Sequence, residues 1–168
     1  MLAGSPDLCR FDSLTPNDSQ QPGRDEQPQA FAPARWLQQR LDSTVPQLIV
    51  LAEDSAELRA LLAYALENVG YRVVQVGTGT ALVDTVVRLT TAGEAVRLII
   101  TDVRMPALGG VDAAGALREA GLQIPLIFMT AYGDAWTRSR AEQLGAILLD
   151  KPLTLATLRE AVRRTIIE

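Results

Sequence analysis

From Gln47 onward the chain is built of two alternating kinds of segment. Short apolar runs read as strands: QLIVLA (47–52), YRVVQV (71–76), RLIITD (97–102), IPLIFMT (124–130) and AILL (146–149). The first is continuous, the mark of a strand covered on both faces. After each comes a stretch with helical spacing. In EDSAELRALLAYALENVG, Leu58, Leu62, Ala65, Leu66 and Val69 form one stripe, with Ser55 placed to cap the start and Gly70 the end. TALVDTVVRL, GVDAAGALREA, DAWTRSRAEQLG and LTLATLREAVRRTII follow the other strands. In the last helix Leu155, Leu158, Val162 and Ile166 are predicted to face the core.

Five strands alternating with five helices across short connections require parallel strands and right-handed crossovers, with helices on both faces. The predicted fold is α/β, a doubly wound five-stranded parallel sheet occupying residues 47–168. Residues 1–46 differ. They hold six of the nine prolines and many Gln, Ser and Asp. Such a segment buries too little apolar area to offset its ordering entropy, so a largely disordered tail is predicted. Only ARWLQQRLD spaces Trp36, Leu37, Arg40 and Leu41 like a short helix, read as transient. Met1 is read as a true start of the chain.

Composition removes several function classes. A formal net charge of −4 leaves no electrostatic footprint for nucleic acid. No apolar run is long enough to span a bilayer, and the N-terminus lacks a secretory pattern, so no membrane partner is expected. The single cysteine, Cys9, fits a reducing cytoplasm. The absence of histidine excludes Ser-His-Asp and Cys-His catalysis and histidine-ligated zinc. Any metal must be a hard cation on oxygen ligands.

In an open parallel sheet the functional crevice lies at the carboxyl ends of the strands. The first strand ends in Glu53 and Asp54, the third in Asp102, the fourth in Thr130, and the fifth in Asp150 and Lys151 before Pro152. If the first and third strands are neighbours, three carboxylates converge, and their repulsion calls for a cation. Mg²⁺ is the simplest choice. Lys151, the only lysine beside fifteen arginines, brings a compact ammonium where a planar guanidinium is wider. A carboxylate nucleophile, a metal and further donors are the parts phosphoryl transfer uses.

The segments VLAEDS, IITDVRMPALGGVDAAGALRE, PLIFMTAYGD and LDKP resemble the receiver domain of bacterial two-component response regulators. The resemblance covers about residues 47–168, and four motifs in the right order make it specific. It implies the flavodoxin-like strand order 2-1-3-4-5. It implies that Asp102 is the phosphoacceptor, that Glu53, Asp54 and Asp102 bind Mg²⁺ with the backbone carbonyl of Arg104, and that Thr130 and Lys151 are the switch hydroxyl and the invariant lysine. The Lys151–Pro152 bond is then expected to be cis. Receivers usually carry Tyr or Phe three residues before the lysine. Here that position is Leu148, and GAILLDKP is one residue shorter than the usual form.

The function so implied is a signalling switch or phosphorelay intermediate with no output domain of its own, and not an enzyme beyond its own phosphorylation and dephosphorylation. A histidine kinase or histidine phosphotransfer protein is the expected donor. A downstream protein and a second copy of the chain are further candidate partners. Bulky Arg104 and Tyr132, flanking Asp102 and Thr130, are read as modulators of dephosphorylation. Arg159, Arg163 and Arg164 are read as a solvated face, and GTGT (77–80) as a turn, because it lacks the spacing of a phosphate loop.

Taken singly, each site residue has a plainer reading: Asp54 as a helix cap, Asp102 as the start of an Asx turn, Lys151 as a surface charge. Their joint occurrence carries the assignment. Three rivals stand beside it: a receiver-like interaction module that is not phosphorylated, a small Mg²⁺-dependent phosphatase, and a fragment of a longer regulator.

Overall fold

The computed structural model describes residues 45–167. The expectations for residues 1–44, including the tail and the spacing around Trp36, lie outside the described residues. The elements are β1 (Leu48–Ala52), α1 (Ala56–Glu67), β2 (Arg72–Val76), α2 (Gly79–Thr91), β3 (Val96–Asp102), α3 (Gly110–Glu119), β4 (Leu126–Thr130), α4 (Ala135–Gln143), β5 (Ala146–Asp150) and α5 (Leu155–Ile167). Every strand pairing is parallel and the order is β2-β1-β3-β4-β5. This is the predicted doubly wound sheet.

Strand composition follows position. β1 and β4 are buried at every residue, because helices cover both faces of a central strand. The edge strands β2 and β5 have no fully buried residue. Side chains alternate between two cores, as the two-residue strand repeat requires. Val50, Ile99 and Phe128 join Leu82, Val86 and Leu117 on one face. Ile49, Leu51, Ile100 and Ile127 join Leu62, Leu66, Leu158 and Val162 on the other. Among the described residues, every buried side-chain polar atom has a hydrogen-bond partner. None of the described helices is long and apolar enough to cross a membrane.

Several element ends differ from the sequence reading. α1 stops at Glu67 with Asn68 as its C-cap, so Val69 leaves the predicted stripe and is half exposed. Gly70, two residues past the cap, takes a φ of 98°. Ser55 does cap the start, accepting from the Leu58 N–H. β3 begins one residue early, at Val96, and its register against β1 shifts there: Leu48 pairs with Val96 and Ile49 with Leu98. Arg97 is the extra residue, and its side chain is exposed. α5 starts at Leu155 rather than Leu153, with the Thr154 hydroxyl accepting from the Thr157 N–H at 3.0 Å. Arg159 does not lie on a purely solvated face. It donates twice to the Ala65 carbonyl, tying α5 to α1.

The topology decides where the polar strand ends meet. β1 lies between β2 and β3, and β4 joins β3 to β5. With all strands parallel, Glu53, Asp102, Thr130 and Lys151 emerge on one edge of the sheet.

Candidate functional site

Glu53 and Asp54 follow the last residue of β1, and Asp102 is the last residue of β3. One carboxylate oxygen from each lies within 4.8 Å of the others. Glu53 and Asp102 are buried, and Asp54 is exposed. Lys151 enters from the end of β5. Its Nζ donates to Glu53 Oε2 at 2.8 Å and also to Asp102 Oδ2. The second oxygen of Asp102, Oδ1, accepts from the Arg104 N–H at 2.9 Å. The Lys151–Pro152 peptide is cis.

The charges do not balance. Three carboxylates face one ammonium, which leaves two negative charges formally uncompensated. Burial pushes the Glu53 carboxyl above its usual range, against the opposing hydrogen bond and charge of Lys151, and the charge of Asp102 adds to the push. Burial alone would lower the Lys151 ammonium. Its hydrogen bonds to Asp102 and Glu53, with their charges, together outweigh that and hold it above the ordinary lysine range. Lys151 is therefore a fixed cation at neutral pH, and the cluster has room in its charge balance for a divalent one. The donors are all oxygen, which suits Mg²⁺. Three carboxylates this close are costly without such an ion.

The loop from β3 to α3 is built tightly under Asp102. A Cβ on Gly110 would lie 2.0 Å from the Asp102 carbonyl oxygen and 2.5 Å from Thr101 Oγ1. Only glycine lets α3 start this close to the acidic residue. Met105 turns inward and joins the core beneath the loop. Ala107 holds a φ of 66°, a left-handed conformation uncommon for a residue with a side chain.

Thr130 is fully buried at the end of β4. Its hydroxyl donates to the Tyr132 carbonyl at 3.0 Å and accepts from the Tyr132 N–H at 3.1 Å. The hydroxyl is thus engaged by its own loop, while Lys151, Glu53 and Asp102 join one another. The Thr130 carbonyl, in contrast, accepts from the Lys151 N–H at 2.7 Å. Arg104 and Tyr132, the two flanking positions, meet: the guanidinium lies 5.3 Å from the ring centroid. Leu148 pairs with Phe128 and packs on the core that contains it.

Two features were not visible in the sequence. Arg59, six residues after Glu53, donates to the Glu53 main-chain carbonyl and so fixes the turn carrying the acidic pair. Arg138 reaches both the Gly133 carbonyl and the Asp150 carboxylate. Neither forms a local motif. Arg138 and Asp150 meet only because α4 packs beside β5.

Comparison with known proteins agrees with this arrangement. Residues 49–163 match the response regulator receiver domain family. Response regulator protein TmoT of Ectopseudomonas mendocina is 32% identical over 132 residues, covering 78% of this chain and 57% of that protein. Sporulation initiation phosphotransferase F of Bacillus subtilis is 26% identical over 117 residues, covering 69% of this chain and 90% of that one. The chain spans only about half the length of several curated relatives it matches. Among solved structures, the chemotaxis response regulator CheY4 of Vibrio cholerae superposes with a TM-score of 0.61 at 24% identity, over 72% of this chain and 99% of that one, a likeness of fold. With the acidic cluster and its lysine at the carboxyl edge of such a sheet, the chain belongs to the response regulator receiver family of two-component signalling.

Proposed function

We propose that Asp102 accepts a phosphoryl group from a histidine kinase or histidine phosphotransfer protein, in a Mg²⁺-dependent reaction, and that the acyl phosphate switches the domain between two states. The observation that carries this reading is the Lys151 ammonium held on Asp102 and Glu53 together. A fixed positive charge beside Asp102 supports this reading, because an incoming phosphoryl oxygen needs one.

Glu53, Asp54 and Asp102, with the main-chain carbonyl of Arg104, are the oxygens that would hold Mg²⁺. When bound, the ion would neutralise the acidic cluster and the incoming phosphoryl oxygens. A carboxylate oxygen of Asp102 bonds to phosphorus as the phosphorus–nitrogen bond of the donor phosphohistidine breaks. The imidazole leaves with the electron pair and is protonated from solvent. Lys151 stays beside Asp102 and takes one phosphoryl oxygen. The Thr130 hydroxyl, turning from Tyr132, takes another. Water later cleaves the acyl phosphate and resets the switch.

The reaction is the chain's own phosphorylation and dephosphorylation, with no separate substrate. A cytoplasmic location follows from a kinase donor. The α4, β5 and α5 face is the candidate output surface, toward a downstream protein, a second copy or the next carrier of a relay. A second reading, an interaction module that is never phosphorylated, draws on Leu148 packed against the core and on Thr130 turned to Tyr132.

One assay separates them. The protein is incubated with Mg²⁺ and acetyl phosphate and its intact mass measured, beside Asp102→Asn and a sample with chelator. Adduct in the wild type alone, and only with Mg²⁺, supports the switch. A wild type that stays unmodified favours the inert module.

A further inference from the structure

Three groups outside the acidic cluster form a clasp next to it. Arg138, near the start of α4, donates through Nε to the Gly133 carbonyl at 2.9 Å and through Nη2 to Asp150 Oδ2 at 3.4 Å. Gly133 leaves the space these contacts need. A Cβ there would lie 2.7 Å from Arg138 Nη2 and 2.7 Å from Asp150 Oδ1. The clasp therefore ties together the loop after β4, the first turns of α4 and the last residue of β5.

Both ends of this clasp lead to the phosphoryl site. Asp150 immediately precedes Lys151. Gly133 immediately follows Tyr132, whose main chain holds both hydrogen bonds of the Thr130 hydroxyl. Turning that hydroxyl toward a group on Asp102 breaks both bonds and releases residues 131–133 from them. The Arg138 bond is then the side-chain contact that still holds Gly133 in place. Leu148, on the neighbouring β5, packs on the core with Phe128. The clasp is the tether on the described loop that reaches both α4 and β5.

We infer that Arg138 and Asp150 are positioning residues of the phosphoryl site: their clasp on Gly133 holds the loop in the arrangement that keeps Thr130 on Tyr132, and it opens when Thr130 turns to the phosphoryl group. This rests on the proposed phosphorylation of Asp102. Both side chains of the ion pair are more than half exposed, so the pair is weak and screened. A weak tether suits a switch, since a strong one would lock the loop. Closed, it favours the unphosphorylated arrangement. Open, it frees α4 and the edge of β5 to move.

The test uses three variants, Arg138→Gln, Asp150→Asn and Gly133→Ala, each made with Trp36→Phe so that Trp136 in α4 is the only tryptophan. Gly133→Ala keeps both charges and crowds the clasp apart. Two quantities are read: Trp136 emission before any phosphodonor, and the rate of adduct formation with acetyl phosphate and Mg²⁺. The expected result is the same for all three. Emission of the unphosphorylated variant moves toward that of the phosphorylated parent, and phosphorylation speeds by about two- to fivefold. Parental emission or parental rate in Gly133→Ala overturns the clasp, even if the two charge variants change. A parent that takes no phosphoryl group overturns the proposed function itself and the clasp with it. A parent that is phosphorylated beside silent variants overturns the clasp alone.

Discussion

The ammonium of Lys151 lies 2.8 Å from Oε2 of Glu53, a residue 98 positions earlier in the chain. Neither residue is well placed without the other. Glu53 is almost wholly buried, and a buried carboxylate without a cation is strongly disfavoured. The parallel order β2-β1-β3-β4-β5 puts β5 two strands from β3 and three from β1. Lys151 crosses that edge on a long, flexible stem and ends in a compact ammonium, where the planar guanidinium of an equally long arginine is wider.

Lys151→Ala removes the fixed cation and leaves three carboxylates together. Without divalent ions, stability is expected to fall by about 1–3 kcal/mol, less than for a fully dry pair because Lys151 keeps some solvent contact. Mg²⁺ is expected to recover much of the loss and to bind the variant more tightly than the wild type. Urea midpoints in chelator and in Mg²⁺ measure both. Equal midpoints for variant and wild type in chelator contradict the expectation.

Gly110→Ala drives a methyl group onto the Asp102 carbonyl, 2.0 Å from the position a Cβ would take. The neighbours are main chain, so relief requires moving β3 or α3. A loss of about 2 kcal/mol or more is expected, with weaker Mg²⁺ binding because Asp102 moves with its carbonyl. A calorimetric melt with wild-type midpoint would show that α3 has more room than this packing allows.

The Arg104 guanidinium lies over the Tyr132 ring, and the two residues stand two positions after Asp102 and Thr130 in the chain. At an exposed site such a contact is worth only about 0.5–1 kcal/mol. Its expected effect lies in shielding the acyl phosphate from water. Replacing both by alanine is expected to shorten the phosphorylated lifetime severalfold. The adduct is followed by intact mass after the donor is removed, and an unchanged lifetime rejects the shielding role.

How much of this was legible in the sequence depends on the residue. Apolar runs and caps such as Ser55 report local structure, so the elements and the doubly wound sheet could be read directly. Strand ends then placed Glu53, Asp54, Asp102, Thr130 and Lys151 on one edge, because parallel order converts sequence position into spatial position. Ends of elements depend on more than spacing. Val69 continues the α1 stripe in spacing, yet the helix closes at Asn68 before it. The register shift at Arg97 depends on how β3 meets β1, which no window along one strand records. The orientation of the Thr130 hydroxyl, the close packing at Gly110 and the clasp of Arg138 on Gly133 and Asp150 are tertiary facts with no local pattern.

Asp134 caps α4, its carboxylate accepting from the Thr137 N–H at 2.7 Å. That backbone hydrogen bond, joined by a side-chain bond to Thr137, holds its carboxyl below the ordinary aspartate range. The folded value lies below the unfolded one, so the ionised cap stabilises fully above the unfolded value. That stabilisation is lost as pH falls through the folded value. Asp134→Asn keeps a capping oxygen but cannot titrate. Its urea midpoint is expected to lie below the wild type near neutral pH and to converge with it in acid. A gap that stays constant with pH contradicts the assignment.

The chemistry at Asp102 has the most direct test. The protein is treated with Mg²⁺ and acetyl phosphate, reduced with borohydride, digested, and the peptide containing residue 102 is sequenced by mass. An acyl phosphate there is reduced to homoserine, so the expected result is homoserine at position 102 that disappears when Mg²⁺ is withheld. Intact aspartate at 102, with the phosphoryl group absent or found on a serine or threonine, contradicts the central claim.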